Sequence, residues 1–416
     1  MSESEGARAQ RRCGPGHLRC GLFMVASVGI VFGLLLSASA GLSMLLLALS
    51  LAGFVVAQRR GIVTGASRAW DEHPLAMTVG SLLAVLCVAG LHRSQPFALL
   101  TLATLLIYAV ACLGLTIQFG YAGVVNFAGA AFFGIGAYAT AALAEVGHVP
   151  SLLLPVLSGV ASALLGCLLI VPILRTRGHY VAIITIAFSV LFKSFIQSSG
   201  WIGGSEGSSV PGLSFLGWNF NSNFHVGQQT ISSYMSYVLL SLLALTLVLF
   251  LVRRLNSSWL GLMLDAVRLD PVAATSFGVS VPRVKILAFF SGNFLLGLAG
   301  SIYAMMTGYV SPGNFTLGDS LLLVSILILG GMGNPWGVLP GVLIIVMLPE
   351  KLQAMQEYRL FIFSVLVVGM ILIRPSGILP RRRRNYAGAG LIDNPGEPGA
   401  DVGSGVHSAS PSQVKR

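Results

Sequence analysis

The sequence predicts an all-α fold: a polytopic transmembrane helical bundle of about 10–12 membrane segments, with the N- and C-termini cytoplasmic. Three observations lead there. Only 9% of the 416 residues are charged while 55% are hydrophobic, whereas a soluble domain carries about 25% charged residues. Apolar runs of crossing length recur along the chain. The basic residues fall in short clusters between those runs. A net charge of +11 therefore does not describe a nucleic-acid-binding face, which would gather its cations on one polar surface. The surrounding medium is membrane lipid.

Taken in order, residues 1–20 form a basic cytoplasmic arm. Runs 21–39 and 41–57 read as a tight helical hairpin turning near Ser37 to Ser43. Arg11, Arg12 and Ala38-Ser39-Ala40 imitate a cleaved signal peptide, but the apolar stretch continues to Ala57. With the run 75–91 these make an N-terminal extension, 21–96. Crossings then follow at 97–118, 121–143, 151–173, 179–198, 231–252, 284–306 and 358–374. Two shorter runs, 318–330 and 337–349, flank a glycine-rich turn and read either as two short crossings or as a re-entrant pair. The Gly/Ser/Pro-rich stretch 381–416 reads as a disordered cytoplasmic tail.

Orientation follows from counting cations. With the N-terminus inside, inner segments collect Arg8, Arg11, Arg12, Arg59, Arg60, Arg175, Arg177, Arg253, Arg254, Arg268, Arg283, Lys285, Arg374 and the run Arg381 to Arg384. Outer positions hold Arg93, Lys193, Lys351 and Arg359. The reverse orientation inverts the positive-inside bias.

Four segments carry more than lipid-facing helix. The first, 118–144, is dense in Gly and Ala, with Gly120, Gly123, Gly134 and Gly136 and the amide Asn126. Small residues let backbones approach closely, or leave room for a substrate or a broken helix. A buried amide in lipid needs a partner, so Asn126 faces the bundle or a cavity. The second, around Gly203, Gly204 and Gly207, opens an outer loop whose acidic group is Glu206; it is a connector or a surface for a soluble partner. The third, 253–285, is a cytoplasmic loop. Asp270 and Pro271 form an N-cap and N1 pair. The helix they start stops near Gly278. Two turns are too short to stand alone, so this helix lies on the membrane or plugs into another protein. The fourth carries Asp319 and then Gly330, Gly331 and Gly333, where backbone lines a cavity or is buried in protein.

No catalytic constellation, nucleotide-binding loop or paired Cys/His ligand set is present in the sequence; Cys13 and Cys20 with His17 are too few and too spread for a metal. No enzyme activity, metal or cofactor is expected, and active transport would need a partner that binds ATP.

These segments together resemble the permease family of binding-protein-dependent ABC importers for branched-chain amino acids, in its larger, M-type form. The resemblance runs over 97–380. It is carried by Gly120 to Gly123 with Phe132 to Tyr138, by Leu174 to Gly178 with Tyr180 to Thr185, by Gly203, Gly204 and Gly207, and by Asp270 to Lys285. Ser311-Pro312, Leu329 to Gly333, Leu348-Pro349-Glu350 and Arg374 to Pro380 complete it. The resemblance implies a permease domain over 97–380. It implies a coupling helix in 266–282 that docks on an ATPase, with Arg268, Asp270, Pro271, Ala273, Ala274 and Gly278 as its residues. It implies as partners a homologous permease subunit, two ABC ATPase subunits and a soluble substrate-binding protein, in a bacterial inner membrane. Gly120, Gly123, Asn126, Gly134, Gly136, Gly330, Gly331 and Gly333 would line the pathway. The chain departs from the family pattern at Leu269 and Pro271, where acidic residues are usual, and at His179 and Val190. Relatives that carry urea leave urea and short amides open as alternative cargo. A stand-alone carrier or channel is the reading from another class, and the near absence of mid-membrane ionisable groups speaks against it.

Overall fold

The computed structural model describes residues 74–351, with interruptions at 146, 148, 177–179, 201–202, 216–217, 222–223 and 227–228, and a few positions from 364 to 379. All lie in one compact unit, Met1–Arg381. The basic arm, the hairpin 21–57, most of the run 358–374 and the tail 381–416 lie outside the described residues.

The chain is mainly helical. In order come α1 (Pro74–Leu91), α2 (Pro96–Leu115), a π-helical turn (Thr116–Tyr121), α3 (Gly129–Glu145), α4 (Leu154–Leu174) and α5 (Tyr180–Ser198). After a loop region with short strands come α6 (Tyr234–Ser257), α7 (Trp259–Leu269), α8 (Pro271–Ser276), α9 (Val281–Thr307), α10 (Leu317–Gly330) and α11 (Val338–Lys351). Among the described residues six segments are long and apolar enough to cross a membrane: Pro96–Tyr121, Leu154–Leu174, Tyr180–Ser198, Tyr234–Ser257, Val281–Thr307 and Pro312–Gly330. The chain is a multi-pass membrane protein.

Helix starts follow local chemistry. Proline occupies the first turn of α2, α4, α8 and α9, where its missing N–H costs nothing. Thr316 and Asp319 form a reciprocal capping box at the start of α10. Gly308, with φ +71°, ends α9 in a left-handed cap.

The centre of the bundle is α9, packed against α2, α3 and α4. Lipid tails are as apolar as leucine, so helices associate through close packing and polar contacts. Both are present. Gly136 meets the backbone of Gly297, and a Cβ at Gly159 would stand 2.9 Å from Phe294 O. Thr140 Oγ1 lies 2.8 Å from Ser158 Oγ and donates to Ser301 Oγ at 2.6 Å, tying α3, α4 and α9 at one buried point. The outer helices α4, α5 and α6 turn Leu168, Leu191, Leu243 and Phe250 outward, as a lipid-facing rim requires.

Two ends are distinct. At one, Ser232 N donates to Arg93 O, and β1 (Ser208–Ser209) pairs antiparallel with β6 (Tyr309–Val310). Two further short hairpins stand there: β2 (Ser214–Phe215) with β3 (Trp218–Asn219), and β4 (Phe224–Val226) with β5 (Gln229–Ile231). At the other end lie α7, α8 and the α10–α11 turn, where the Arg253 guanidinium sits 5.4 Å over the Trp336 ring.

Two expectations change. The run 121–143 is not one continuous helix, because residues 122–128 are non-helical and α3 begins only at Gly129. The loop 253–285 is largely helical: α6 extends to Ser257, and α7 precedes the short α8. Ser258 caps α7, accepting from Gly261 N. The runs 318–330 and 337–349 form an antiparallel helical pair, α10 and α11. It packs so tightly that a Cβ at Gly341 would lie 2.6 Å from Ile326 O.

Candidate functional site

The broken stretch 116–128 is the least regular part of the bundle's interior. Its π turn widens the end of α2, with Ala122 N donating to Ile117 O. Gly123 then takes φ +67°, a left-handed conformation that glycine adopts without strain. Backbone without helical partners survives at membrane depth only where protein satisfies it. Here the chain's own side chains do so. Phe127 N donates to Thr185 Oγ1 at 3.1 Å and Ala128 N to Asn126 Oδ1 at 2.9 Å, and in the first turn of α3 Ala130 N donates to Ser320 Oγ at 3.0 Å. Helix α5 thus pairs with the break, and α10 with the start of α3 beside it.

Asn126 is fully buried and does have partners. Its Nδ2 donates to Gln118 Oε1 at 2.8 Å and to Asn293 Oδ1 at 3.3 Å. Gln118 Nε2 donates to Asn293 Oδ1 at 2.9 Å and to Phe289 O at 3.2 Å. Three buried amides therefore pin the break to the middle of α9. Asn293 Nδ2 has no hydrogen-bond partner and points at Gly166 of α4. Sequence reasoning singled out Asn126 but missed Gln118 and Asn293. Their signal was there: each is an amide inside an apolar run.

The glycines expected in the pathway separate into groups. Gly120 packs on the α10–α11 turn, where a Cβ would stand 2.7 Å from Gly333 N. Gly123 packs on Arg268, whose Cγ would be 3.2 Å from an added Cβ. Gly331 (φ +114°) and Gly333 (φ +89°) shape that turn, and Gly330 abuts Gly337. Gly134 and Gly136 lie elsewhere on α3. Gly134 accommodates the rings of Phe315 and Phe192, which an added Cβ would meet at 2.8 and 2.9 Å. At the opposite end Gly203, Gly204 and Gly207 all have positive φ, and Gly207 N donates to Gly203 O at 2.9 Å. An added Cβ at Gly207 would meet Tyr309 Oη at 2.9 Å, beside the β1–β6 pair.

The short helix forms as its sequence requires. Asp270 Oδ1 accepts from Val272 N at 2.8 Å and Ala273 N at 3.1 Å, with Pro271 in the first turn. Gly278, at φ +79°, follows its end. Ala273 is exposed, but Ala274 is buried and seats α8 on its own chain. The solvent-facing apolar side chains are Leu269, Val272 and Phe277, exposed by 82%, 74% and 88%. Leu269 ends α7, Val272 lies on the six-residue α8 and Phe277 follows it, so exposed apolar side chains occur before, on and after the short helix. Arg268, at the end of α7, sends its Nη1 to the carbonyl of Gly120. One side chain thus joins the α7–α8 unit to the broken helix.

Residues 96–373 match the family model described as branched-chain amino acid transport system / permease component. The chain is 34% identical over 292 residues to the high-affinity branched-chain amino acid transport system permease protein LivM of Salmonella typhimurium, covering 67% of this chain and 69% of that protein. It is 32% identical over 325 residues to LivM of Escherichia coli, covering 74% and 76%. It is 26% identical over 298 residues to the permease protein LivH of Escherichia coli, covering 66% and 91%. No solved structure matches the chain. A match over this much of the chain, with relatives this similar, places the protein in the family of permease components of branched-chain amino acid transport systems.

Proposed function

We propose that this permease moves branched-chain amino acids inward across a bacterial inner membrane, using ATP hydrolysed by partner subunits. The assembly comprises this chain, a homologous permease, two ABC ATPase subunits and a soluble substrate-binding protein. The names of the relatives support the cargo.

The observation that carries the coupling role is the α7–α8 unit. It exposes Leu269, Val272 and Phe277 and reaches the broken helix through Arg268. An ATPase cleft would cover those apolar side chains. Closing of the ATPase dimer would push α8, and Arg268 would carry the displacement to Gly120, Gly123 and the Gly333 turn. Arg175, Arg253, Arg254, Arg283 and Lys285 cluster at this end or beside it, which supports its being cytoplasmic. The strand-bearing end, with Gly203, Gly204 and Gly207, would then receive the binding protein. Residues 97–380 would form the transporting domain, with 21–96 as an added extension.

The test is uptake of labelled leucine into proteoliposomes that hold the complete assembly, with ATP inside and valine, glutamate and urea as competitors. ATP-dependent uptake competed by valine is expected. Uptake by this chain alone under an ion gradient, without ATP, would overturn the reading.

A further inference from the structure

Between α2, α3, α9 and α10 lies a cavity of about 20 Å³, room for one water-sized group. Four aromatic rings line it: Tyr108, Phe133, Tyr303 and Phe315. Their ring centroids lie 5.5 Å apart for Phe133–Tyr303, 6.0 Å for Tyr108–Phe133, 6.1 Å for Phe133–Phe315 and 6.4 Å for Tyr108–Tyr303. Ala130, Asn314, Leu322, Leu323 and the acidic Asp319 complete the lining. Asp319 Oδ2 is engaged by Thr316, from its N–H at 2.9 Å and its hydroxyl at 2.6 Å. Among the described residues no cation is paired with Asp319.

Ring faces carry negative potential and attract a cation held against them. A carboxylate on the same small cavity adds a full negative charge. The α10 dipole opposes this with about half a positive charge at its N-terminus, which Asp319 outweighs. An ammonium head is about the size of a water molecule and fits. A bare alkali cation shares the charge, and the oxygens of Asp319 and Asn314 are ligands it could use, so potassium is the competing cation.

We propose that this cavity holds the ammonium group of a zwitterionic amino acid during its passage, with Asp319 as counter-ion and the four rings as a cation–π wall. The proposal rests on the amino acid cargo argued above, and it implies that neutral urea is not retained.

The test uses the full-length permease in nanodiscs without binding protein, and the complete assembly in proteoliposomes. Labelled leucine bound to the permease should be displaced by isoamylamine, which keeps the amine, and not by 4-methylpentanoate, which keeps the carboxylate, nor by potassium. Asp319→Asn retains the acceptor that caps α10 and should weaken leucine binding about tenfold or more. Asp319→Glu and Thr316→Val, the latter losing the cap hydroxyl but not the charge, should stay within about threefold. Several results overturn the site: no leucine binding, displacement by 4-methylpentanoate or potassium, or an equal loss in Thr316→Val and Asp319→Asn. Undiminished leucine uptake by the assembly carrying Asp319→Asn removes the site and leaves the importer reading intact. ATP-dependent uptake of urea but not leucine by the wild-type assembly removes that reading, and the site with it.

Discussion

The guanidinium of Arg268, at the end of α7, donates a hydrogen bond to the main-chain carbonyl of Gly120, at the π turn that ends α2. The Gly123 backbone lies against the stem of the same side chain. A motion of the short helix α8 therefore has a direct contact through which to move the break at 122–128.

Replacing Arg268 by Ala removes a charge-assisted bond worth about 1.5–3 kcal/mol. ATP-driven uptake should fall about tenfold or more, while the ATPase subunits still co-purify, since the exposed face of α8 is intact. Arg268→Lys, with one point charge in place of the planar fork, should restore only part of the rate. Full uptake in Arg268→Ala would remove this residue from the coupling route.

The proposed docking surface and the seat of α8 are separable. Val272→Asp and Phe277→Asp change exposed side chains, so the isolated permease should keep its melting temperature. Co-purification of the ATPases should drop severalfold. Ala274→Glu instead puts a charge into a buried site and should lower the melting temperature of the permease alone. Equal behaviour of the exposed and buried variants in a thermal shift assay would refute the assignment.

The amide knot predicts non-additive losses. Asn126→Leu leaves Ala128 N and Gln118 Oε1 without these partners, and Asn293→Leu removes one of the two acceptors of Gln118 Nε2, the other being Phe289 O. Each unsatisfied buried group costs about 1–3 kcal/mol. The double variant should cost less than the sum, because the two changes share the Gln118 network. Additive melting shifts across that cycle would show that the amides act independently.

Gly134 has no room for a side chain between Phe315 and Phe192. Gly134→Leu should abolish uptake and also destabilise the bundle, overpacking costing about 1–3 kcal/mol. Adding Phe315→Ala should recover most of the melting temperature. Failure of that second change to recover stability would count against the contact as the cause.

The sequence by itself determined the membrane fold, the long crossings at 97–118, 151–173, 179–198, 231–252 and 284–306, and the Asp270-Pro271 start of α8. Each rests on patterns local to a few turns: apolar length, charge clusters, a capping pair. It also flagged Asn126, because an amide in lipid must find a partner. Only the tertiary structure decided what that partner was. Gln118, Asn126 and Asn293 meet because α2, the break and α9 cross there, and Asn293 is 167 residues from Asn126 in sequence. The break itself was hidden, since its hydrophobicity continues that of the neighbouring helix and Phe127 N finds its acceptor, Thr185 Oγ1, on a distant helix. Likewise the glycine list was readable, yet its division was not. Gly120 and Gly123 touch the Gly333 turn and Arg268, whereas Gly136 merely lets α3 approach α9. A missing Cβ leaves the same mark in a sequence whether it admits a neighbouring backbone, a ring or an arginine, and packing alone distinguishes them.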